Sequence, residues 1–398
     1  MSSPPTFGSL SGLVAGPAAP PPPSRESAYL KQAEGNLYQA RKRRLDALSD
    51  PVTKDAIHRA TARLTELAHP GRDYIVIRSE LIYGRRLRPA PCMDGYDSRI
   101  IPPPLTRVLR GKNQYAIALY LTRLFGRQME IARAAADNQA PPPQRRRRSS
   151  VYNSATEYSE ASLIGIPGHD RHSQRRIFNR ALLALQAAEL VDLGGGPQRY
   201  VNYILKREDG SGYDYTIPEG EPGTPQHLCL PTEFFTAGWP LILTPSELAT
   251  FLAICHYSDR KLPEKRDSDT PQRIYLAKSV RDDYLGLSDE AYESIHQLAE
   301  FGLIAVYDPV EGRRRGRISP TLTGGKRPEP YLLTPTVLGG FPSHERAFDL
   351  DVFARTAWDT VVDRLRGPLP RYAVWAGTSR KKDDENAKAA HAGAPPAS

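Results

Sequence analysis

Arg175, Arg176, Asn179, Arg180 and Gln186 fall along one arc when Ser173 to Leu190 is wound as a helix at ~100° per residue, and His172 stands just before them. The other arc gathers Ile177, Phe178, Ala181, Leu182, Leu185 and Ala188, a continuous apolar side. Only Leu183 interrupts the polar arc. A guanidinium can donate two parallel bonds to guanine O6 and N7 or to a phosphate, and a carboxamide can pair with adenine. The arc therefore carries both a base-reading and a phosphate-binding inventory. The plainer alternative is an Arg-rich face that is solvated or paired with acidic neighbours.

A second run, Ser288 to Phe301, has the same plan with opposite charge. Ala291, Tyr292, Ile295, Leu298 and Ala299 make its apolar side, and Asp289, Glu290, Glu293, His296, Gln297 and Glu300 are expected outside. Carboxylates are repelled by phosphate, so Glu290, Glu293 and Glu300 are candidates for a protein contact. Those near the start could equally serve only the helix dipole. Shortly after this run, Arg313, Arg314, Arg315 and Arg317 form a cationic cluster between two strand-like segments, Ile304-Ala305-Val306-Tyr307 and Tyr331-Leu332-Leu333. A basic hairpin tip can lie on phosphate even where the neighbouring helix stays away.

Other chemistries find little support. Gly324-Gly325-Lys326 lacks the first glycine and the Ser or Thr of a phosphate loop, and Gly194-Gly195-Gly196-Pro197 has no dinucleotide-binding continuation. The nine His are dispersed, and Cys92, Cys229 and Cys255 show no ligand spacing. No enzyme activity, cofactor or metal is expected. The net charge is +9 with a pI near 9.3, carried mostly by Arg. No stretch of 18 apolar residues and no secretion signal occurs, which leads to a reduced, cytoplasmic and nucleoid-associated expectation.

The elements that would hold these arcs recur along the chain. Ile117, Tyr120, Leu121, Leu124 and Phe125 form one helical stripe, and Leu248, Phe251, Leu252 and Cys255 form its counterpart after the capping box Thr244-Pro245-Ser246-Glu247. Each is followed by a glycine turn, Ile164-Gly165-Ile166 or Leu285-Gly286-Leu287, then by the charged run and a strand. Leu185 pairs with Leu298 at an offset of 113, whereas Tyr120 pairs with Phe251 at 131, and Asp137 to Ser150 looks like the basic insertion responsible.

Leu285-Gly286-Leu287-Ser288 and the ending Leu298-Ala299-Glu300-Phe301-Gly302-Leu303-Ile304 resemble those of winged-helix DNA-binding proteins, with Glu189 standing where the first copy would carry Gly. The resemblance covers roughly residues 105–335, and the tandem arrangement is loosely similar to plasmid replication initiators. It implies an α+β, mostly helical protein that binds double-stranded DNA, in replication initiation of a plasmid or mobile element. A transcriptional regulator, or an adaptor making mainly protein contacts through a homodimer or partner at the acidic helix, stays open. The expected layout is a disordered Pro-rich tail (1–25), a helical arm (26–70), strand and linker (71–104), module one (105–217, insertion 137–150), module two (218–340), a C-terminal helical segment (341–377) and a second disordered tail (378–398). Arg41-Lys42-Arg43-Arg44 in the arm reads either as a solvated helix face or as a phosphate contact.

Overall fold

The computed structural model describes residues 25–86, 100–111, 113–140, 160–168, 170–196, 199–200, 203–218, 226–261, 273–309, 330–336 and 350–368. Both expected disordered tails beyond Arg25, the Arg313 to Arg317 cluster and residues 141–150 of the insertion lie outside them. The protein is α+β and mostly helical, with short antiparallel strand pairs.

Two N-terminal helices, α1 (Arg25–Ser49) and α2 (Pro51–Leu67), meet at Asp50, whose Oδ2 accepts the Thr53 amide at 2.9 Å while Pro51 opens α2. They are followed by β1 (Tyr74–Arg78) and by the short pair β2 (Arg85–Arg86) and β3 (Ile100–Ile101). Then come α3 (Pro104–Arg110), α4 (Ala116–Ala136), α5 (Glu160–Leu163) and α6 (Arg171–Ala187), leading into the hairpin β4 (Val191–Asp192) and β5 (Ile204–Leu205).

A strand not anticipated from the sequence, β6 (His227–Pro231), pairs antiparallel with β1, Ile75 opposite Leu230 and Ile77 opposite Leu228. His227-Leu228-Cys229-Leu230-Pro231 is buried along its length and so lacks the apolar–polar alternation that marks a half-exposed strand. The chain continues through α7 (Thr232–Thr236), α8 (Trp239–Ile242) and α9 (Pro245–Lys261), then a π-helical turn (Val280–Leu285), α10 (Asp289–Tyr292), α11 (Ile295–Glu300) and the hairpin β7 (Ile304–Tyr307) with β8 (Leu332–Pro335). A single bridge from Ile274 to Leu333 sets a third stretch of chain beside β8. The last helix is α12 (Ala357–Arg366), capped by Thr356.

Both supporting stripes are buried: Ile117, Tyr120, Leu121, Leu124 and Phe125 on α4, and Leu248, Phe251, Leu252 and Cys255 on α9. Helix α4 goes further, buried almost all round from Ala116 to Gly126, because α2, α6, α8 and α9 pack about it. Gln128 on α4 is fully buried and pairs with the β1 backbone, accepting from the Val76 amide (3.1 Å) and donating to the Val76 carbonyl (2.6 Å) and to Tyr215 Oη (2.8 Å). A buried amide so satisfied adds no desolvation penalty and fixes the strand against the helix. At the end of β1, Arg78 binds the buried Glu208 carboxylate and the Thr216 carbonyl. Burial pushes Glu208 up to about 7, against the downward pull of Arg78.

The two glycine turns match in backbone: Gly165 has φ 60° and Gly286 φ 59°, between buried pairs Ile164/Ile166 and Leu285/Leu287. The helix ends match too. The Leu190 amide bonds to the Leu185 carbonyl and that of Leu303 to Leu298, both at 3.0 Å, with Glu189 (φ 62°) and Gly302 (φ 83°) in the left-handed conformation. From glycine turn to helix end the first copy runs from 165 to 189 and the second from 286 to 302, so part of the length difference lies within the helices rather than all in the 137–150 segment. The expected single helix from Ser288 to Phe301 is divided into α10 and α11. Its hydrogen bonds tighten to the i+3 spacing at Ser294 and His296 before α11 resumes.

Candidate nucleic-acid interface

Helix α6 begins at Arg171, two residues before the expected Ser173, because Asp170 caps it. Both Asp170 carboxylate oxygens accept backbone amides, from His172 at 3.0 Å and Ser173 at 3.1 Å, and these bonds hold its carboxyl below the ordinary range. Phe178, Ala181, Leu182, Leu185 and Ala188 are buried, and Ile177 is half-buried. His172, Arg175, Arg176, Arg180 and Gln186 are exposed and Asn179 is half-buried, so the structure brings the whole polar set to one surface. Arg176 and Arg180 form no ion pair among the described residues.

Beside this face an open groove of about 450 Å³ runs between α6 and the turn joining α3 to α4. Gly111, Asn113, Gln114 and Tyr115 line one wall; Ile177, Arg180, Leu183 and Ala184 line the other. Asn113 Oδ1 accepts the amides of Tyr115 and Ala116 (2.9 and 3.0 Å) and so shapes the first wall. Burial raises the Tyr115 hydroxyl above its ordinary pKa. Nothing in the sequence marks the groove, since its walls are 60 or more positions apart along the chain and meet only when α4 packs on α6.

The hairpin after α6 carries cations that are largely neutralised. Lys206 lies 2.8 Å from Asp214 and 3.9 Å from Asp192, and Arg207 lies 3.2 Å from Asp209. Gly210, in the turn beyond, has φ 65° and abuts Arg107 and Pro104 of α3, which leaves no room for a side chain. Tyr213 at this turn is exposed.

The acidic arc expected on α10 and α11 is reduced. Glu300 does not face outward: both of its oxygens bind Arg41 Nη1, at 2.6 and 2.5 Å, and both side chains are less than a tenth exposed. His296 is also buried, its ring edge-on to Tyr331 at 5.4 Å. Asp289 is exposed but paired with Arg281 (2.9 Å) and Lys278 (3.3 Å), and the Arg281 bond holds its carboxyl low. Glu290 and Glu293 remain exposed, as expected. The arc fails at Glu300 because Arg41 of α1 reaches the end of α11, where it also donates to the Arg364 carbonyl of α12 at 2.7 Å.

Arg44 behaves alike. It binds both oxygens of Glu247 (2.6 and 2.9 Å) and the Ile242 carbonyl (3.1 Å), and it lies over the Phe301 ring. Glu247 in turn accepts the Thr244 amide at 2.8 Å, so the capping box of α9 is itself clamped by α1. Neither Arg41 nor Arg44 belongs to a solvated face; Lys42 and Arg43 do. The signal was present, since Arg41, Arg44, Leu45 and Leu48 share one helical stripe, and cations at stripe positions need buried carboxylates. The spacing could not name those carboxylates.

Among the described residues no group of His, Cys, Asp and Glu could hold a metal ion, and no helix is long and apolar enough to cross a membrane. Cys229 and Cys255 are buried. Comparison with known proteins returns no match to any family model, curated protein or solved structure.

Proposed function

We propose that this chain binds duplex DNA through α6, as the reading helix of the first of two winged-helix modules. The observation that carries the proposal is the set of exposed Arg175, Arg176, Arg180 and Gln186 with half-buried Asn179 on a helix whose opposite side is anchored in the core. The repeated order of helix, glycine turn, helix and hairpin supports it, as does the Ile274 to Leu333 bridge that widens the second hairpin. The cluster Arg313, Arg314, Arg315 and Arg317 would add phosphate contacts from the segment joining β7 and β8. The tandem arrangement, loosely similar to plasmid replication initiators, favours replication initiation of a plasmid or mobile element over transcriptional regulation, and either role would place the protein at the cytoplasmic nucleoid. The adaptor reading narrows to Glu290 and Glu293, the two candidate acidic residues left exposed for a homodimer or another protein.

The test replaces Arg175, Arg176 and Arg180 together with Ala. Most duplex affinity should be lost and the slope of log K against log salt should flatten by about 2–3, with thermal unfolding unchanged. Wild-type affinity in a normally folded triple variant would remove α6 from the interface.

A further inference from the structure

Leu183 is 41% exposed at the centre of the α6 face, one to two turns from Arg176, Asn179, Arg180 and Gln186. Covering that side chain would remove apolar surface from water. Leu183 also lines the groove, where Ile177 and Ala184 supply further apolar surface, Tyr115 faces them, and Arg180 stands on the same wall. The occupant must therefore present an apolar group while belonging to a polyanion. An apolar protein side chain meets the first requirement and leaves the surrounding guanidiniums unanswered. In the DNA major groove the thymine 5-methyl is the apolar group among the base edges, and phosphates lie close by for the arginines.

We infer that Leu183, with the groove beside it, reads a thymine methyl and so sets sequence preference within the α6 interface. The inference rests on the proposal that α6 enters duplex DNA. Arg180, beside Leu183 at i−3, then anchors an adjoining phosphate or guanine, and Asn113 holds Tyr115 in place as the far wall. Specificity at this position comes from shape and apolar contact, with no hydrogen bond required.

The experiment uses the full chain. A preferred duplex is selected from random sequence, and each thymine is then replaced singly by deoxyuridine, which removes only the methyl group. At one or two positions affinity should fall about four-fold, the worth of one buried methyl. Leu183→Ala should bind with an unchanged salt slope and lose that sensitivity, and Leu183→Met should retain it. Salt-dependent binding with a flat deoxyuridine series would overturn the role of Leu183 while leaving α6 in the groove. A deoxyuridine effect that persists in Leu183→Ala would overturn it as well. Selection that yields no bound duplex would overturn the reading of α6 and this inference with it, and Leu183→Ala disrupting self-association instead would reassign the groove to a protein contact.

Discussion

Arg41 and Glu300, 259 positions apart in sequence, close a two-bond ion pair between the N-terminal helix and the end of α11, with both side chains less than a tenth exposed. The pair makes α1 part of the same packed body as the second helix–hairpin unit, and Arg44 with Glu247 repeats the device at the start of α9. The two ties lie on one side of α1, so they hold the helix in register along its axis as well as against its neighbours.

Removing one partner of such a pair strands the other charge away from water. Arg41→Ala and Glu300→Ala should each destabilise by about 3–5 kcal/mol, whereas Glu290→Gln and Glu293→Gln, on exposed side chains, should change stability by less than about 0.5 kcal/mol. Urea melts of the four variants decide it. Equal, small effects at all four positions would place Glu300 back on the surface.

The matched helix ends give opposite expectations for two substitutions. Glu189→Gly relieves a left-handed conformation that an L side chain adopts at a cost, so stability should hold or rise by up to about 1 kcal/mol despite loss of the half-exposed contact with Arg107 at 3.0 Å. Gly302→Ala should lose about 1 kcal/mol for the same reason. Leu185→Ala and Leu298→Ala, whose carbonyls close the two ends, should each lose about 2–5 kcal/mol as core truncations. Denaturant midpoints at constant m-value supply the comparison, and a destabilising Glu189→Gly would contradict the shared geometry.

Stability should depend on pH through Glu208. Its folded pKa is raised from 4.5 to about 7, so between those values the folded state holds a proton that the unfolded state has released. The contribution is fully present below about pH 4.5 and is lost as pH rises through 7. Glu208→Gln should flatten this part of the profile, and above pH 7, where the wild-type carboxylate is charged, it should lower stability by removing the charged partner of Arg78. A profile of unchanged slope in the variant would assign the pH dependence to other groups.

If the cationic cluster between β7 and β8 contacts phosphate, replacing Arg313, Arg314, Arg315 and Arg317 with Gln should weaken duplex binding more at low salt than at high salt. Glu290→Gln with Glu293→Gln should leave binding intact or tighten it slightly. Loss of sequence selectivity in the double Glu variant would show α10 reading bases, through cytosine amino groups.

Local rules carried the sequence a long way here. Apolar spacing located α4, α6 and α9 and named the buried arc of α6; Thr244 and Ser288 marked helix starts; Gly165, Gly286 and Gly302 marked turns that need a positive φ. All of these depend on residues within a turn or two of one another, which is why a linear reading reaches them. Where each charge ends was settled only in three dimensions. Glu300 sits on an arc that looks solvent-facing until Arg41 of α1 reaches it, and β6 is recognisable only by β1 beside it. Glu189 takes the left-handed conformation without being glycine because Leu185 and Leu190 around it are fixed in the core. Periodicity reports which side of an element is apolar, while the partner of a buried cation or of a fully apolar strand is chosen by packing between segments far apart in sequence.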